Sequence, residues 1–282
     1  MYKYSEEDLQ KLRQVQLDIL AEVIRICDKH SIRWFTDGGT TIGAVRHQGF
    51  IPWDDDVDIA MLREDYDKFL RVAPKEINSG YVVAHYEFDK NTPFYFAKVR
   101  RENTLFVEEA VKDLNIHHGI YIDIFPYDVV PINKGVRSRH KKKIQLYSRQ
   151  LSYRTTSTGD KNETNKLKYF LKTLYKKITR YFLMPFKKSY FYEKLDRQYR
   201  KYVASDSQLI SPCIGGDFVV NKNEIFPTIK MPFESIFVEV PKNYDDILRQ
   251  SFGDYMQLPP ENKRFNHAPA VLKFEEDSLD NN

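Results

Sequence analysis

The 282-residue sequence has few of the features that mark secreted or membrane-spanning proteins. Its two cysteines, Cys27 and Cys213, are too few for a disulfide framework and favour a reducing compartment. No stretch approaches the roughly 18 uninterrupted apolar residues that a transmembrane helix needs. The first residues, MYKYSEEDLQ, lack the apolar segment that follows the basic start of a secretory signal. With 41% hydrophobic and 14% aromatic residues, the sequence predicts a globular, cytoplasmic protein.

The small net charge of +4 conceals a strongly basic segment. Residues 134–202 contain 21 Lys and Arg against 4 Asp and Glu, whereas the remainder contains 23 basic and 36 acidic residues. Strand patterns are absent there, and basic residues alternate with aromatic ones, as in KLKYFLKTLYKKITRYFLMPFKKSYF (166–191). We therefore expect one domain over residues 1–282 that carries a basic, mostly helical insertion over 134–202.

Outside the insertion, the periodicity of apolar residues predicts an α/β (α+β) fold. Helices are expected over residues 5–30, 40–47, 64–73 and 244–252. Strands are expected over residues 32–36, 57–62, 81–88, 94–101, 104–109, 119–125 and 235–241. Ser5 resembles a helix N-cap, and Pro74 is expected to end the third helix.

Four carboxylates occupy five positions of the stretch WDDDVDIAML, immediately before an apolar run. Burying such charges without a partner costs several kcal/mol apiece, so the pattern indicates either a solvated turn or a cation site. If the chain is extended after Pro52, Asp54, Asp56 and Asp58 share one face while Asp55 lies on the other. Three carboxylates on one face suit Mg²⁺ or Mn²⁺.

A further acid, Asp123, stands inside the apolar stretch IDIF, where a lone carboxylate is costly, so we expect it to be another ligand. An EF-hand is excluded, because loop positions 6 and 12 counted from Asp54 hold Ile59 and Asp65 instead of Gly and Glu. Pro52 and the β-branched residues that follow disfavour the helical acidic motif of prenyl-diphosphate enzymes. A glycosyltransferase D-x-D site stays open.

The stretch DGGTTIG lies between a predicted strand and a predicted helix. A turn at Gly38 and Gly39 would let backbone N–H groups approach a phosphate at the helix N-terminus. Phosphate-binding amides beside metal-binding acids indicate a nucleotidyl or phosphoryl transfer site.

At these residues the sequence resembles the LicD family of phosphocholine transferases, which is related to fukutin-related proteins. The resemblance covers residues 5–130 and 210–267 through GGTTIGAVRHQGFIPWDDDVDIAMLREDY, FAKVRRENTL, YIDIFPYD and FGDYMQLPPENKR. It implies a nucleotidyltransferase-type mixed sheet flanked by helices. It also implies Mg²⁺-dependent transfer of a phospho-alcohol, first of all phosphocholine, from a CDP-linked donor to a sugar hydroxyl of teichoic acid, capsule or lipopolysaccharide, with release of CMP. CDP-ribitol and CDP-glycerol are alternative donors.

The resemblance also implies roles for single residues. Gly38, Gly39 and Thr40 match the phosphate-binding turn. Asp56 and Asp58 match the metal-binding pair, and Asp123 matches the third catalytic carboxylate and candidate base. Because 16 residues separate Gly39 from Asp56, Asp54 is a further candidate metal ligand.

Basic and aromatic residues near the acids complete the expected site. The cations expected to meet the donor phosphates are Arg46, Lys98 and Arg100, with Arg264 as a more distant candidate. Rings that could enclose the quaternary ammonium of choline, although core packing is the simpler expectation, are Trp53, Tyr121 and Phe125.

The basic insertion is expected either to contact an anionic membrane surface or to be a solvated helical face. Nucleic-acid binding is not expected, because no nucleic-acid module is recognisable. The enzyme would then act at the inner face of the cell membrane on a lipid-linked or nascent glycan. A silent nucleotide-binding or assembly protein is the non-enzymatic alternative, and the retained acids argue against it.

Overall fold

A mixed β-sheet forms the centre of the protein, as the strand-rich pattern before residue 130 predicts. The structure is a computed structural model and describes residues 4–155, 166–213, 218–267 and 269–275. The helices are α1 Glu6–His30, α2 Gly38–His47, α3 Arg63–Glu76, α4 Lys134–Thr155, α5 Lys166–Leu183, α6 Lys188–Tyr199, α7 Lys222–Ile225 and α8 Tyr244–Phe252. The strands are β1 Phe35–Thr36, β2 Asp58–Leu62, β3 Tyr81–Ala84, β4 Ala97–Arg101, β5 Leu105–Val107, β6 Tyr121–Val129, β7 Leu209–Pro212, β8 Val220–Asn221, β9 Ile229–Phe233, β10 Ile236–Val240 and β11 Val271–Lys273.

The main sheet has the order β1-β2-β6-β4-β3. The long strand β6 pairs in parallel with β2 and antiparallel with β4, while its second half pairs with β7, which continues to β8. Two antiparallel pairs, β9–β10 and β5–β11, lie outside this sheet. The expected mixed α/β fold is confirmed.

The two faces of the sheet build different apolar clusters, because successive side chains of a strand point to opposite sides. Ile59 and Met61 of β2 join the large core that α1 and α3 cover. Ala60 and Leu62 of the same strand face a smaller cluster that includes Val220. Asp58 shares the face of Ala60 and Leu62, so the acidic site lies on the side opposite the large core.

Several boundaries differ from the sequence prediction, among them the ends of α3 and β3. The prediction that α3 stops at Pro74 is wrong, because the helix continues to Glu76 with Pro74 inside it. A proline in the last turn removes one intrahelical hydrogen bond, and Ile77 still closes the helix by donating to the Ala73 carbonyl at 2.9 Å. The strand predicted to reach residue 88 ends at Ala84 and is followed by a turn.

Where the structure describes it, the basic insertion is helical, as predicted, and only part of it packs on the rest of the protein. Leu151 of α4 and Phe191 and Leu195 of α6 are buried in a cluster with Tyr86 and Tyr95. Between residues 170 and 190, by contrast, no described side chain is buried. In the described part of the chain, no helix combines the length and the apolar character needed to cross a bilayer.

Candidate active site

The strand register places three predicted site residues side by side. Asp58 of β2 is the parallel partner of Asp123 in β6, and Asp123 is the antiparallel partner of Lys98 in β4. Directly paired residues point to the same face of a sheet, so their side chains form a row. The Lys98 Nζ donates to Asp123 Oδ2 at 3.2 Å and lies 2.9 Å from Asp123 Oδ1.

Helix α2 begins beside this row. Helix α2 begins at Gly38, two residues earlier than predicted, with Asp37 as the N-cap, and Gly38 has the positive φ of 49° that the predicted glycine turn needs. The backbone N–H of Asp58 donates to the Thr40 Oγ1 at 2.8 Å, which fixes the start of β2 against the helix. A Cβ on Gly39 would lie only 2.8 Å from Asp54 Oδ2, so the missing side chain leaves room for that carboxylate. The helix N-terminus therefore faces the acids.

The loop before β2 separates its acids as an extended chain would, although no strand is formed there. Asp55 is buried, and its two carboxylate oxygens accept from the His267 backbone N–H at 2.9 and 3.0 Å. The Tyr4 hydroxyl donates to Asp55 Oδ2 at 2.5 Å. Arg13 donates to the backbone carbonyl of Asp54 at 3.0 Å. Asp55 therefore holds the loop through its hydrogen bonds, and Asp54 and Asp56 are the acids of the loop whose carboxylates can bind a ligand.

Burial raises the pKa values of Asp54, Asp56, Asp58 and Asp123, and repulsion from neighbouring acids adds to the rise. Burial raises the pKa of Asp54 to about 8, with repulsion from Asp56 next in size. The pKa of Asp58 is raised well above its ordinary value by burial and then by Asp56, Asp123, Asp37 and Asp54. Five carboxyl groups therefore act on one another across a small, poorly solvated region.

Two cations face this group. Burial raises the pKa of Asp123 to about 6, although the Lys98 ammonium opposes that rise. The hydrogen bond to Asp55 raises the pKa of His267 to about 9, and its Nδ1 lies 3.5 Å from Asp56 Oδ2. Neither cation contacts all the acids, so the negative charge is only partly compensated.

This donor set fits a hard divalent cation. Mg²⁺ and Mn²⁺ prefer carboxylate oxygens. Among the described residues, Asp123 Oδ1 is buried without a hydrogen bond, and the contact given for it is the Lys98 ammonium at 2.9 Å. Asp55, Asp56 and His267 also bring ligand atoms within 4.8 Å of one another. Asp55, however, already accepts hydrogen bonds from His267 and Tyr4, so Asp54, Asp56, Asp58 and Asp123 remain the candidate ligands.

A pocket of about 250 Å³ opens beside the acid row. Asp37, Gly38 and Asp58 line its polar side, and Phe125 and Tyr127 of β6 line its apolar side. The Tyr127 hydroxyl donates to Asp37 Oδ1 at 3.0 Å, which orients the N-cap carboxylate. A small ligand in this pocket would meet the α2 N-terminus and Asp58 together.

Of the other two cations predicted to meet the donor phosphates, Arg100 lies near the acid row and Arg46 does not. Arg100 is buried near Lys98, and both approach Glu108 Oε2, at 3.7 and 3.5 Å respectively. Arg46 lies in the last turn of α2, far from the Gly38 end, and donates to the Tyr255 carbonyl and to His47. The structure therefore brings Lys98 and Arg100 to the acid row and directs Arg46 elsewhere.

The rings considered for a choline cage are already engaged, in keeping with core packing. The Tyr121 ring lies 3.4 Å from the Lys98 ammonium, and the Trp53 ring lies 4.4 Å from the Arg264 guanidinium. Phe125 is buried and packs edge-to-face against Phe96.

Sequence reasoning missed three residues of this region: Asp37, Glu108 and His267. Asp37 directly precedes the glycines and is a residue type that favours N-cap positions, so its place at the helix start could have been predicted from the sequence. Glu108 and His267 carried no local signal, because they reach the site through the packing of β5 and of the segment after residue 263.

Comparison with known proteins shows the family of this chain. The family model described as LicD/FKTN/FKRP, nucleotidyltransferase domain, matches residues 31–188. The chain is 30% identical over 281 residues to the lipopolysaccharide cholinephosphotransferase LicD of Haemophilus influenzae, covering 92% of this chain and 95% of that protein.

The chain belongs to the LicD family.

Two further relatives match shorter parts of this LicD-family chain. An uncharacterized protein of Rickettsia typhi is 32% identical over 127 residues, which is 45% of this chain and 37% of that protein. The human ribitol 5-phosphate transferase FKRP is 40% identical over 43 residues, which is 15% of this chain and 9% of that protein.

Proposed function

We propose that this LicD-family protein transfers a phospho-alcohol, phosphocholine in the first instance, from a CDP-linked donor to a sugar hydroxyl of a cell-surface glycan. The observation that carries the proposal is the row Asp58–Asp123–Lys98 beside the N-terminus of α2. The cholinephosphotransferase relative, which aligns over almost all of the chain, supports phosphocholine. The FKRP relative keeps ribitol phosphate as the alternative.

Asp54, Asp56, Asp58 and Asp123 would hold Mg²⁺ or Mn²⁺. When bound, the cation would neutralise charge on the donor diphosphate and on departing CMP. The N–H groups at the start of α2 would face the same phosphates.

In the transfer step, the sugar oxygen forms a bond to the phosphorus of the phospho-alcohol while the bond from that phosphorus to CMP breaks. The hydroxyl proton passes to Asp123, whose carboxylate Lys98 holds in place. Thr40 keeps Asp58 at the start of β2 through the backbone N–H, so it acts as a positioning residue.

The proposal is tested by incubating the protein with CDP-choline, CDP-ribitol and CDP-glycerol, each with Mg²⁺, and measuring CMP release. We expect one CDP-alcohol to be turned over, and turnover to be lost in Asp58→Asn and Asp123→Asn. Asp113→Asn, an exposed acid outside the site, is the matched control. Turnover of a UDP- or GDP-sugar in place of every CDP-alcohol would support the glycosyltransferase alternative.

We further propose that α5 attaches the enzyme to an anionic membrane surface. Seven large apolar side chains of this helix are at least 42% exposed and recur at helical spacing: Phe170, Leu171, Leu174, Tyr175, Ile178, Tyr181 and Phe182. Exposed apolar patches of this kind mark interaction sites. The basic residues interspersed with them, including Lys177 and Arg180, favour an anionic surface, as does their place in the basic insertion.

Vesicle sedimentation tests this attachment. We expect recovery with anionic vesicles, weak recovery with neutral vesicles, and release by salt. Phe170→Ser with Phe182→Ser should lower recovery with anionic vesicles, as should charge reversal of Lys176, Lys177, Lys187 and Lys188. Phe237→Ser, which changes a ring 65% exposed on β10, is the control. Equal recovery with neutral and anionic lipid would reduce α5 to a solvated helix.

A further inference from the structure

The pocket beside the acid row is lined mainly by apolar side chains. It is the pocket of about 250 Å³ that Asp58 and the start of α2 border. This volume is below the roughly 300–1,000 Å³ typical of sites for drug-sized ligands, so the pocket suits a small head group. We call it the aromatic pocket, because its lining includes the rings of Phe35, Phe125, Tyr127, Phe218 and Phe252. Of the rings considered from the sequence for a choline cage, it includes Phe125 alone.

The inner rings of the aromatic pocket are held by the sheet. Phe35 of β1 and Tyr127 of β6 are 1% and 3% exposed, and their rings meet edge-to-face with centroids 5.1 Å apart. Phe35 also packs edge-to-face against Phe226, with centroids 5.9 Å apart. These contacts fix the inner rings before any ligand binds. Phe252, at the end of α8, is 52% exposed and therefore lies at the rim.

The aromatic pocket contains negative charge and, among its described lining residues, no positive charge. Its carboxylates are Asp37 and Asp58, and no lysine, arginine or histidine lines it. The Asp37 side chain accepts two hydrogen bonds, from the Gly38 N–H at 2.9 Å and the Tyr127 hydroxyl at 3.0 Å. Both end on Oδ1, so within the described part of the chain Asp37 Oδ2 accepts no hydrogen bond and forms no ion pair. A cationic head group would meet this oxygen.

The hydroxyl groups of the lining are mostly engaged with the protein. The Thr41 hydroxyl donates to Thr36 Oγ1 at 3.0 Å, and the Tyr127 hydroxyl donates to Asp37. The hydroxyl groups of ribitol or glycerol would lose water in this pocket without gaining a full set of partners, which is unfavourable. A quaternary ammonium has no N–H group that needs a partner, and it is attracted both by ring faces and by a carboxylate.

We propose that the aromatic pocket binds a quaternary ammonium head group, with Asp37 as its counter-ion, and so selects choline over ribitol and glycerol. This inference deepens the proposed phospho-alcohol transfer and rests on it. The Asp37 N–H donates to the Asp58 carbonyl at 3.0 Å, so the two acids adjoin. A short alcohol can therefore place its ammonium beside Asp37 while its phosphate lies at the cation site that includes Asp58. The nucleotide lies outside the pocket, which is too small for it.

Binding is tested with choline alone in EDTA, so that neither donor nor metal takes part. Saturation-transfer NMR of the full chain follows choline, ethanolamine, which has the same charge without methyl groups, and glycerol, which is a neutral polyol. Asp37→Asn removes the charge and keeps a residue type that caps helices. Phe252→Leu removes a ring at the rim. The matched controls outside the pocket are Asp113→Asn, at an exposed acid, and Phe237→Leu, at a ring 65% exposed on β10.

We expect choline to bind to the wild type and to both controls, and ethanolamine and glycerol to bind more weakly. Asp37→Asn and Phe252→Leu should each weaken choline binding about fivefold, which corresponds to about 1 kcal/mol, the usual size of one cation–π or partly exposed charge contact. Unchanged choline binding in either variant would overturn the proposal. Equal binding of choline and ethanolamine to the wild type would overturn it as well, because charge alone would then account for binding.

Two further arms separate this inference from the nucleotide and from the reaction. Displacement of choline by CMP in EDTA would overturn the assignment, because the pocket would then hold the nucleotide. Turnover of CDP-ribitol or CDP-glycerol without choline binding would overturn the inference and leave the proposed transfer standing. Choline binding that is weakened in both variants, without turnover of any CDP-alcohol, would support the pocket and count against the proposed reaction alone.

Discussion

Asp58→Asn should stabilise the metal-free protein while removing its response to Mg²⁺. Asp58 lies on β2 among four other carboxyl groups, and their repulsion adds to the cost of its burial. The amide has nearly the same shape and cannot ionise. The hydrogen bond that holds this residue to Thr40 uses the Asp58 backbone N–H, so the substitution leaves it intact.

The sign of the effect follows from the pKa direction, because a group whose folded-state pKa exceeds its unfolded value destabilises the folded state above the unfolded value. A gain of about 1–3 kcal/mol in the free energy of unfolding, the usual size of a single-substitution effect, is expected at pH 8 in EDTA. For a chain somewhat longer than 250 residues, each kcal/mol corresponds to roughly 2–4 °C in Tm, so the shift is readily measured.

In the presence of Mg²⁺, Asp58→Asn should instead lose stability relative to the wild type. A cation at 100 times its Kd stabilises the folded protein by about 2.7 kcal/mol, and Asp58→Asn should lose most of that stabilisation. Differential scanning calorimetry with EDTA and with MgCl₂ measures both effects, with Asp113→Asn as the control. A variant with a lower Tm than wild type in EDTA would refute the repulsion argument, and an unchanged Mg²⁺ response would refute Asp58 as a ligand.

Three other outcomes follow from the same geometry. Gly39→Ala should weaken the Mg²⁺ response at nearly normal Tm, because the new Cβ would lie 2.8 Å from the movable Asp54 carboxylate. Gly43→Ala should instead lower Tm, because its Cβ would lie 2.4 Å from a fixed backbone oxygen. Calorimetry of both variants tests this, and the reverse pattern would contradict it. With metal chelated, Tm should fall as the pH rises from about 4 to 8. The pKa of Asp54 is raised to about 8, so in this pH range the folded state keeps a proton that the unfolded state has lost. A Tm that rises with pH would contradict this. Arg63→Met alone should lower the free energy of unfolding in urea by about 3–5 kcal/mol, because it leaves buried Asp128 unpaired. Adding Asp128→Leu should recover much of that loss. Equal stability of the single and double variants would argue against the ion pair.

Elements with a strong local pattern were predictable from the sequence. Helix α8 covers residues 244–252, as its periodicity predicts, and α1 starts after Ser5, which caps it. All seven predicted strands are present, but most are shorter than predicted and β6 continues to Val129, because strand ends depend on neighbouring strands. Strands β7, β8, β9 and β11 were not predicted. Helix α2 begins two residues earlier than predicted, because Asp37, a strong N-cap, lets it begin at the glycines.

The site was predictable where the chemistry is local and not where it depends on tertiary contacts. The acids near residue 56 and the isolated Asp123 stand out because buried carboxylates are costly. Their alternation survives without a strand, because Asp55 is held by Tyr4 and His267, which no local pattern could indicate. Arg46 was predicted to face the donor phosphates because it lies inside a family motif, but that position gave no information on where its side chain points.

The tie between Asp55 and His267 has a consequence for protein synthesis. The two residues are 212 positions apart, so Asp55 has Tyr4 but lacks His267 until almost all of the described chain has been made. At about 5–20 residues per second, that interval lasts roughly 10–40 s. A nascent chain would thus have the acids in its sequence but not in a fixed arrangement. Incomplete chains would thereby lack the full arrangement of acids on which the proposed transfer depends.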